Sequence, residues 1–94
     1  MRADAAPAFA DALRAVPEGY STGTAHGMRY RATRQSFNGG RSVKLVAEAV
    51  DGSDYISLNF YDLRNGPQLA PCEMAHEKVI AFVRSYRPEA EQCL

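Results

Sequence analysis

Residues 28–62, which decide the fold, read MRYRATRQSFNGGRSVKLVAEAVDGSDYISLNFYD. Apolar and polar side chains alternate through much of this stretch, and two turn sequences, Asn38-Gly39-Gly40 and Asp51-Gly52, interrupt it. Alternation with a period of two is typical of half-buried strands, and glycine after asparagine or aspartate is typical of hairpin turns. The stretch therefore predicts three consecutive antiparallel strands.

The second and third of these strands show the alternation most clearly. Their apolar positions are Val43, Leu45, Ala47 and Ala49 in the second strand and Ile56, Leu58 and Phe60 in the third. We expect these side chains to form the buried face and the intervening residues to face water. A short fourth strand is predicted at residues 68–72, where Pro71 restricts it to an edge or an end of the sheet.

Two helices are predicted beside the sheet, at residues 7–16 and 74–86. The first has a narrow apolar stripe of Phe9, Leu13 and Val16, so it must dock on a larger element. Residues 20–27 are expected to be extended or irregular, and residues 89–94 to form a loose acidic tail.

The predicted fold class is therefore α+β, in one domain of residues 1–94. An antiparallel sheet of three to four strands, spanning residues 28–72, is packed by the C-terminal helix. The short N-terminal helix is expected to cover another edge of the sheet. A chain of 94 residues has room for one modest core.

Bulk composition narrows the environment in which the protein is expected to work. The chain has no formal net charge and two cysteines, Cys72 and Cys93, which do not form a disulfide framework. A reducing cytoplasm is the expected location. We predict no membrane partner, since no apolar run reaches the roughly 18 residues of a span and residues 1–16 lack a signal-peptide pattern.

Positive charge is concentrated at the start of the decisive stretch. Five cations, and no Asp or Glu, lie between Met28 and Leu45. A basic sheet face that carries aromatic side chains is typical of proteins that bind phosphate backbones and stack unpaired bases. The predicted nucleic-acid-binding residues are Arg29, Arg31, Arg41, Lys44, Tyr55 and Tyr61, and the predicted ligand is single-stranded DNA or RNA.

Two other classes of function compete with nucleic-acid binding. The polar sheet face could be merely solvated, in a protein-interaction or scaffold domain. An enzyme would need a nucleophile such as Cys72, for which no general base or orienting group is evident, so a non-enzymatic protein is predicted. Cys72 and His76, with His26 and Cys93, lack the paired spacing of structural zinc ligands. No metal or cofactor is predicted.

The C-terminal helix has an apolar arc wider than one face of a small sheet usually needs. A second burial partner for this arc would be another copy of the chain, so we expect a homodimer. The predicted dimer-interface residues are Val79, Ile80, Phe82, Val83 and Tyr86.

The order of three strands, a short strand and a helix resembles the positive cofactor four family of transcriptional coactivators, which bind single-stranded DNA. The resemblance spans residues 28–86 and is best in Ile56-Ser57-Leu58-Asn59-Phe60-Tyr61, the loop containing Gly66, and Leu69-Ala70-Pro71. It implies a transcription-related regulator that dimerises through its C-terminal helices and presents a groove to unpaired strands.

This sequence departs from the family's pattern at three places. Asn59 stands where the family has a basic residue, and Asp62 stands where it has a large aromatic residue after the tyrosine. The family's basic turn is replaced by Asp51-Gly52-Ser53-Asp54, which contains two acidic residues. The resemblance therefore implies that phosphate and base contacts come chiefly from Arg29, Arg31 and Lys44.

Overall fold

The computed structural model describes residues 6–63, 66–72 and 74–89, which form a six-stranded antiparallel sheet and two helices. The elements are α1 (Ala6–Ala15), β1 (Gly19–Ala25), β2 (Met28–Phe37), β3 (Ser42–Ala49), β4 (Tyr55–Leu63), β5 (Gly66–Pro71), α2 (His76–Ser85) and β6 (Arg87–Pro88). The order in the sheet is β5-β4-β3-β2-β1-β6. The α+β class is confirmed, but three to four strands was too few.

The two predicted glycine turns join β2, β3 and β4 into a meander. Asn38, Gly39 and Gly40 form a short 3₁₀ turn in which all three φ angles are positive, at 55°, 68° and 92°. Gly52, with φ of 79°, lies between β3 and β4. Only glycine, and to a lesser degree asparagine, adopts such angles without strain, so the sequence marked these turns correctly.

Strand β1 is the main element that the sequence pattern did not reveal. It pairs with β2 along its whole length, from Gly19 opposite Arg34 to Ala25 opposite Met28. The connecting residues His26 and Gly27 both have positive φ, at 53° and 77°, as a two-residue hairpin turn requires. Its buried positions are Ser21, Gly23 and Ala25, which are too small and polar to stand out as an apolar alternation.

The two outermost strands are short. Strand β5 pairs with β4 at one edge of the sheet, as expected for a segment that contains Pro71. At the other edge β6 continues directly from α2 and pairs with β1, through Gly23 opposite Pro88 and Thr24 opposite Arg87. Glu89, predicted to begin a loose tail, instead donates its backbone N–H to the carbonyl of Thr22. The rest of that predicted tail lies outside the described residues.

The core lies between the helices and one face of the sheet. Phe9 of α1 packs on Phe60 of β4 with ring centroids 5.5 Å apart, and Phe82 of α2 packs edge-on against Tyr30 of β2 at 4.8 Å. The helices also contact each other. Helix α1 therefore shares a sheet face with α2 and does not cover a separate edge, because its apolar stripe packs on β4 and beside α2.

A polar contact at the edge of the core ties α2 to the sheet. The Tyr30 hydroxyl donates to Asp54 Oδ2 at 2.7 Å, and Lys78 Nζ lies 2.8 Å from Asp54 Oδ1. Burial, followed by the bond to Asp54, raises the pKa of Tyr30 to about 12. The bonds from Lys78 and then Tyr30 lower the pKa of Asp54 below its ordinary value.

We expect Asp54→Asn to lower the free energy of unfolding by about 1 kcal/mol at neutral pH, because an amide replaces the charged acceptor of two hydrogen bonds. A carboxyl whose pKa is lowered by folding stabilises the fold above its ordinary pKa and loses that contribution as the pH falls through the lowered value. The difference from wild type should therefore vanish in acid. Urea unfolding across acidic pH measures it, with Asp11→Asn on α1 as the matched control. A pH-independent difference would contradict the assignment.

Candidate nucleic-acid interface

The sheet surface opposite the helices, here called the open face, is formed by every second residue of β1 to β4. Its residues are Tyr20, Thr22, Thr24, Arg29, Arg31, Thr33, Gln35, Phe37, Ser42, Lys44, Val46, Glu48, Tyr55, Ser57, Asn59 and Tyr61. All are exposed or half-buried except Ser57. The pairing of β2 with β3 therefore brings Arg29, Arg31 and Lys44 to one side of the sheet, away from the aliphatic layer.

Four aromatic side chains lie on the open face. Tyr20, Phe37 and Tyr55 are 63%, 49% and 49% exposed, and Tyr61 is half-buried. The sequence indicated Tyr55 and Tyr61 as stacking residues but missed the other two. Tyr20 was missed because strand β1 was not predicted, whereas Phe37 at the end of β2 could have been found from its position in the alternation.

Three of the four residues predicted to contact phosphates have side chains that bond to no other described residue. In the described part of the chain, the side chains of Arg31, Arg41 and Lys44 make no hydrogen bond or ion pair, and all three are exposed. Arg31 and Lys44 lie on the open face itself. Arg41 follows the turn between β2 and β3, at one end of that face. These three cations are available to an anionic ligand.

Two other arginines of the basic segment are used within the molecule. Arg29 Nη2 lies 2.8 Å from Glu89 Oε2, and Arg29 Nε donates to the same oxygen at 3.0 Å. Arg34 donates to the carbonyl of Val16 at 2.7 Å and pairs with Glu18 at 3.3 Å, so it joins the end of α1 to the sheet. The predicted site residue Arg29 is therefore on the open face but already neutralised.

Acidic residues reduce the positive potential of this surface. Glu48 lies directly between Arg31 on β2 and Tyr55 on β4. The cations of the open face are Arg29, Arg31 and Lys44. With the carboxylates of Glu48 and Glu89, they leave the open face with a net charge of only +1. Asp54, in contrast, belongs to the core side, where it accepts the Tyr30 hydroxyl. A ligand held by charge alone would therefore bind weakly here.

Strand register groups the unpaired cations with the aromatic side chains. Arg31 is opposite Thr22, so Tyr20 is its diagonal neighbour, about 8 Å away. Tyr55 lies in the row of Arg31 two strands across, at about 10 Å. Tyr20, Arg31 and Tyr55 form what we call the Arg31 cluster.

A second group of the same composition lies further along the strands. Lys44 is opposite Gln35 on β2 and Asn59 on β4. Phe37 and Tyr61 are consequently its diagonal neighbours, each about 8 Å away. We call Phe37, Lys44 and Tyr61 the Lys44 cluster. Each cluster offers one cation between two aromatic side chains.

Most side chains of the predicted dimer interface are buried within a single chain. Val79, Phe82, Val83 and Tyr86 are 0% to 4% exposed within a single chain, and only Ile80 is half-buried. The wide apolar arc of α2 is satisfied because it packs on both the sheet and α1. Moving any one of these side chains out of the core into water would cost about 2 kcal/mol. The width of the apolar arc therefore does not require a second copy of the chain, and a dimer through these residues stays a prediction.

The candidate catalytic and metal-binding residues are dispersed. Cys72 is a free, exposed thiol whose Sγ lies 3.9 Å from the Asn59 amide, and the His76 ring bonds to the carbonyl of Leu69. His26 lies in the β1–β2 turn, and Cys93 is outside the described residues. Within the described ranges, no three His, Cys, Asp or Glu side chains could hold a metal ion, and no helix is long and apolar enough to cross a membrane.

Comparison with protein-family models, curated proteins and solved structures gives no match. The resemblance to the positive cofactor four family was based on the succession now seen as β2, β3, β4, β5 and α2. Strands β1 and β6 and helix α1 lie outside the stretch that it spans. A relationship to that family therefore stays a prediction.

Proposed function

We propose that the open face binds single-stranded nucleic acid without catalysing a reaction. The observation that carries this proposal is the presence of two clusters, each with an unpaired cation between aromatic side chains, on a sheet face left uncovered by the helices. The similarity to the positive cofactor four family points to the same ligand and to a role in transcription. Both clusters belong to one chain, so the proposal does not depend on a dimer.

Unpaired strands fit this surface better than a duplex does. The exposed aromatic side chains can stack on splayed bases, while Arg31 and Lys44 neutralise the phosphates between them. Bases in a duplex are already stacked on each other and present only their edges in the grooves. Since the net charge of the face is small, stacking must supply a large part of the binding free energy.

Tyr55 provides the most direct test of stacking. We expect Tyr55→Leu to weaken binding of a fluorescein-labelled oligothymidine about tenfold, since stacking on one aromatic side chain is worth about 1–3 kcal/mol per base. Tyr55→Phe keeps the ring and should bind nearly as tightly as wild type. Fluorescence anisotropy at low salt measures both. Equal losses in the two variants would exclude stacking at Tyr55, and absence of wild-type binding at low salt would exclude the proposed function.

A protein-interaction surface is the second candidate, and the near-neutral charge of the open face favours it. Glu48 in the centre of the face and the half-buried Val46 suit a protein partner at least as well as a phosphate backbone. On this alternative, Tyr55→Leu would weaken capture of a protein partner, and the oligothymidine would not bind wild type at low salt.

A further inference from the structure

Thr22 and Arg29 surround a carboxylate supplied by the chain itself. Glu89 Oε1 accepts a hydrogen bond from the Thr22 hydroxyl at 2.7 Å, while Oε2 accepts from Arg29 Nε at 3.0 Å and lies 2.8 Å from Nη2. The backbone N–H of Glu89 also bonds to the carbonyl of Thr22 at 2.9 Å. These contacts bring the C-terminal segment onto the rim of the open face.

The groups that hold this carboxylate are those that hold a phosphate. Two guanidinium nitrogens of Arg29 meet one carboxylate oxygen, a contact that a phosphate oxygen can also accept, and the threonine hydroxyl adds a neutral donor. Arg29 and Thr22 lie on neighbouring strands of the open face, and Arg31 follows Arg29 two residues later on β2. A nucleic-acid backbone that reaches the Arg31 cluster therefore passes close to Arg29.

We propose that Thr22 and Arg29 form a phosphate subsite of the open face, which the Glu89 carboxylate largely keeps from a bound strand in wild type. This inference rests on the proposed function and adds an internal competitor to it. A bound strand must displace Glu89 before its phosphate can reach Arg29. The Arg29 side chain is 59% exposed and that of Glu89 is 20% exposed, so water screens the ion pair from the arginine side and the exchange is feasible.

We expect Glu89→Gln to tighten oligothymidine binding about two- to fivefold, the factor that corresponds to an exposed ion pair. Arg29 would then add a fourth neutralised phosphate to those of Arg31, Arg41 and Lys44. The log-log salt slope should steepen from about −2 to about −2.8, since each phosphate on a single strand contributes about −0.7. Fluorescence anisotropy at several salt concentrations measures both quantities.

A double-mutant cycle separates local competition from a general change in charge. Arg29→Gln should weaken binding more in the Glu89→Gln background than in wild type, because the carboxylate no longer occupies the arginine. Equal losses in the two backgrounds, or an unchanged salt slope in Glu89→Gln, would overturn the phosphate subsite while leaving the proposed function standing. Absence of wild-type binding would instead remove the proposed function. Circular dichroism confirms that each variant is folded.

Discussion

We expect the double variant Arg31→Glu with Lys44→Glu to bind single-stranded oligothymidine about 100-fold more weakly than wild type at low salt. Each substitution removes the cation of one cluster and places a carboxylate where a phosphate must approach. Only Arg41 then remains of the three unpaired cations, so the log-log salt slope should fall from about −2 to about −0.7. Both side chains are exposed and make no hydrogen bond or ion pair with any residue that the structure describes, so the fold should be retained.

The matched control changes the net charge by the same amount on the helix side of the molecule. Arg14 on α1 and Arg84 on α2 are exposed and belong to the helices, and Arg14 gives up only a long, exposed ion pair with Asp62 at 3.8 Å. Arg14→Glu with Arg84→Glu should reduce binding only slightly, through long-range repulsion that salt screens. If both double variants lost the same affinity, bulk charge and not the open face would govern binding, and the proposed interface would be wrong.

The second large effect is expected for Gly23→Val, which should lower the free energy of unfolding by about 3 kcal/mol or more. A β carbon at this position would collide with the carbonyl oxygen of Arg87 and lie 2.8 Å from two ring atoms of Tyr86. Backbone atoms cannot move aside without breaking the pairing of β6 with β1. Strand propensity alone predicts that Gly23→Val stabilises the fold, because Val is favoured over Gly in strands by up to about 1 kcal/mol.

Thr24→Val is the matched control for this substitution. Thr24 is the next residue of β1 and is exposed on the open face, so the methyl group that replaces its hydroxyl faces water. Urea unfolding should show a change of less than about 0.5 kcal/mol for Thr24→Val. A Gly23→Val protein as stable as wild type would mean that β6 and Tyr86 do not lie against β1.

The contact of Tyr86 with β1 also fixes the position of the end of α2. The Tyr86 hydroxyl bonds to the buried Ser21 hydroxyl at 2.8 Å, and its ring stacks on Phe82 at 5.4 Å. Burial raises the pKa of Tyr86, so its neutral form is the one that the fold accommodates. The contacts of Tyr86 with Gly23 and Ser21 thus hold the C-terminal segment against β1. This position places Glu89 beside Arg29.

Local signals in the sequence were sufficient for the central meander. The turns at Gly39 and Gly52 and the strict alternation of β3 and β4 depend on backbone angles and on a period of two, which neighbouring residues determine. The alternation also placed Arg31 and Lys44 opposite the aliphatic residues. The helix at His76–Ser85 was recognisable for the same reason, since its apolar spacing is local.

Tertiary structure decided the remaining features. Alternation within β2, β3 and β4 indicates which of their residues face outward, but not which distant segments cover or neutralise them. Arg29 is paired with Glu89, 60 positions away, and the arc of Phe82 is buried by strands and a helix distant along the chain. Such contacts depend on the three-dimensional path of the backbone, because side chains far apart in sequence meet only after the sheet and helices have packed.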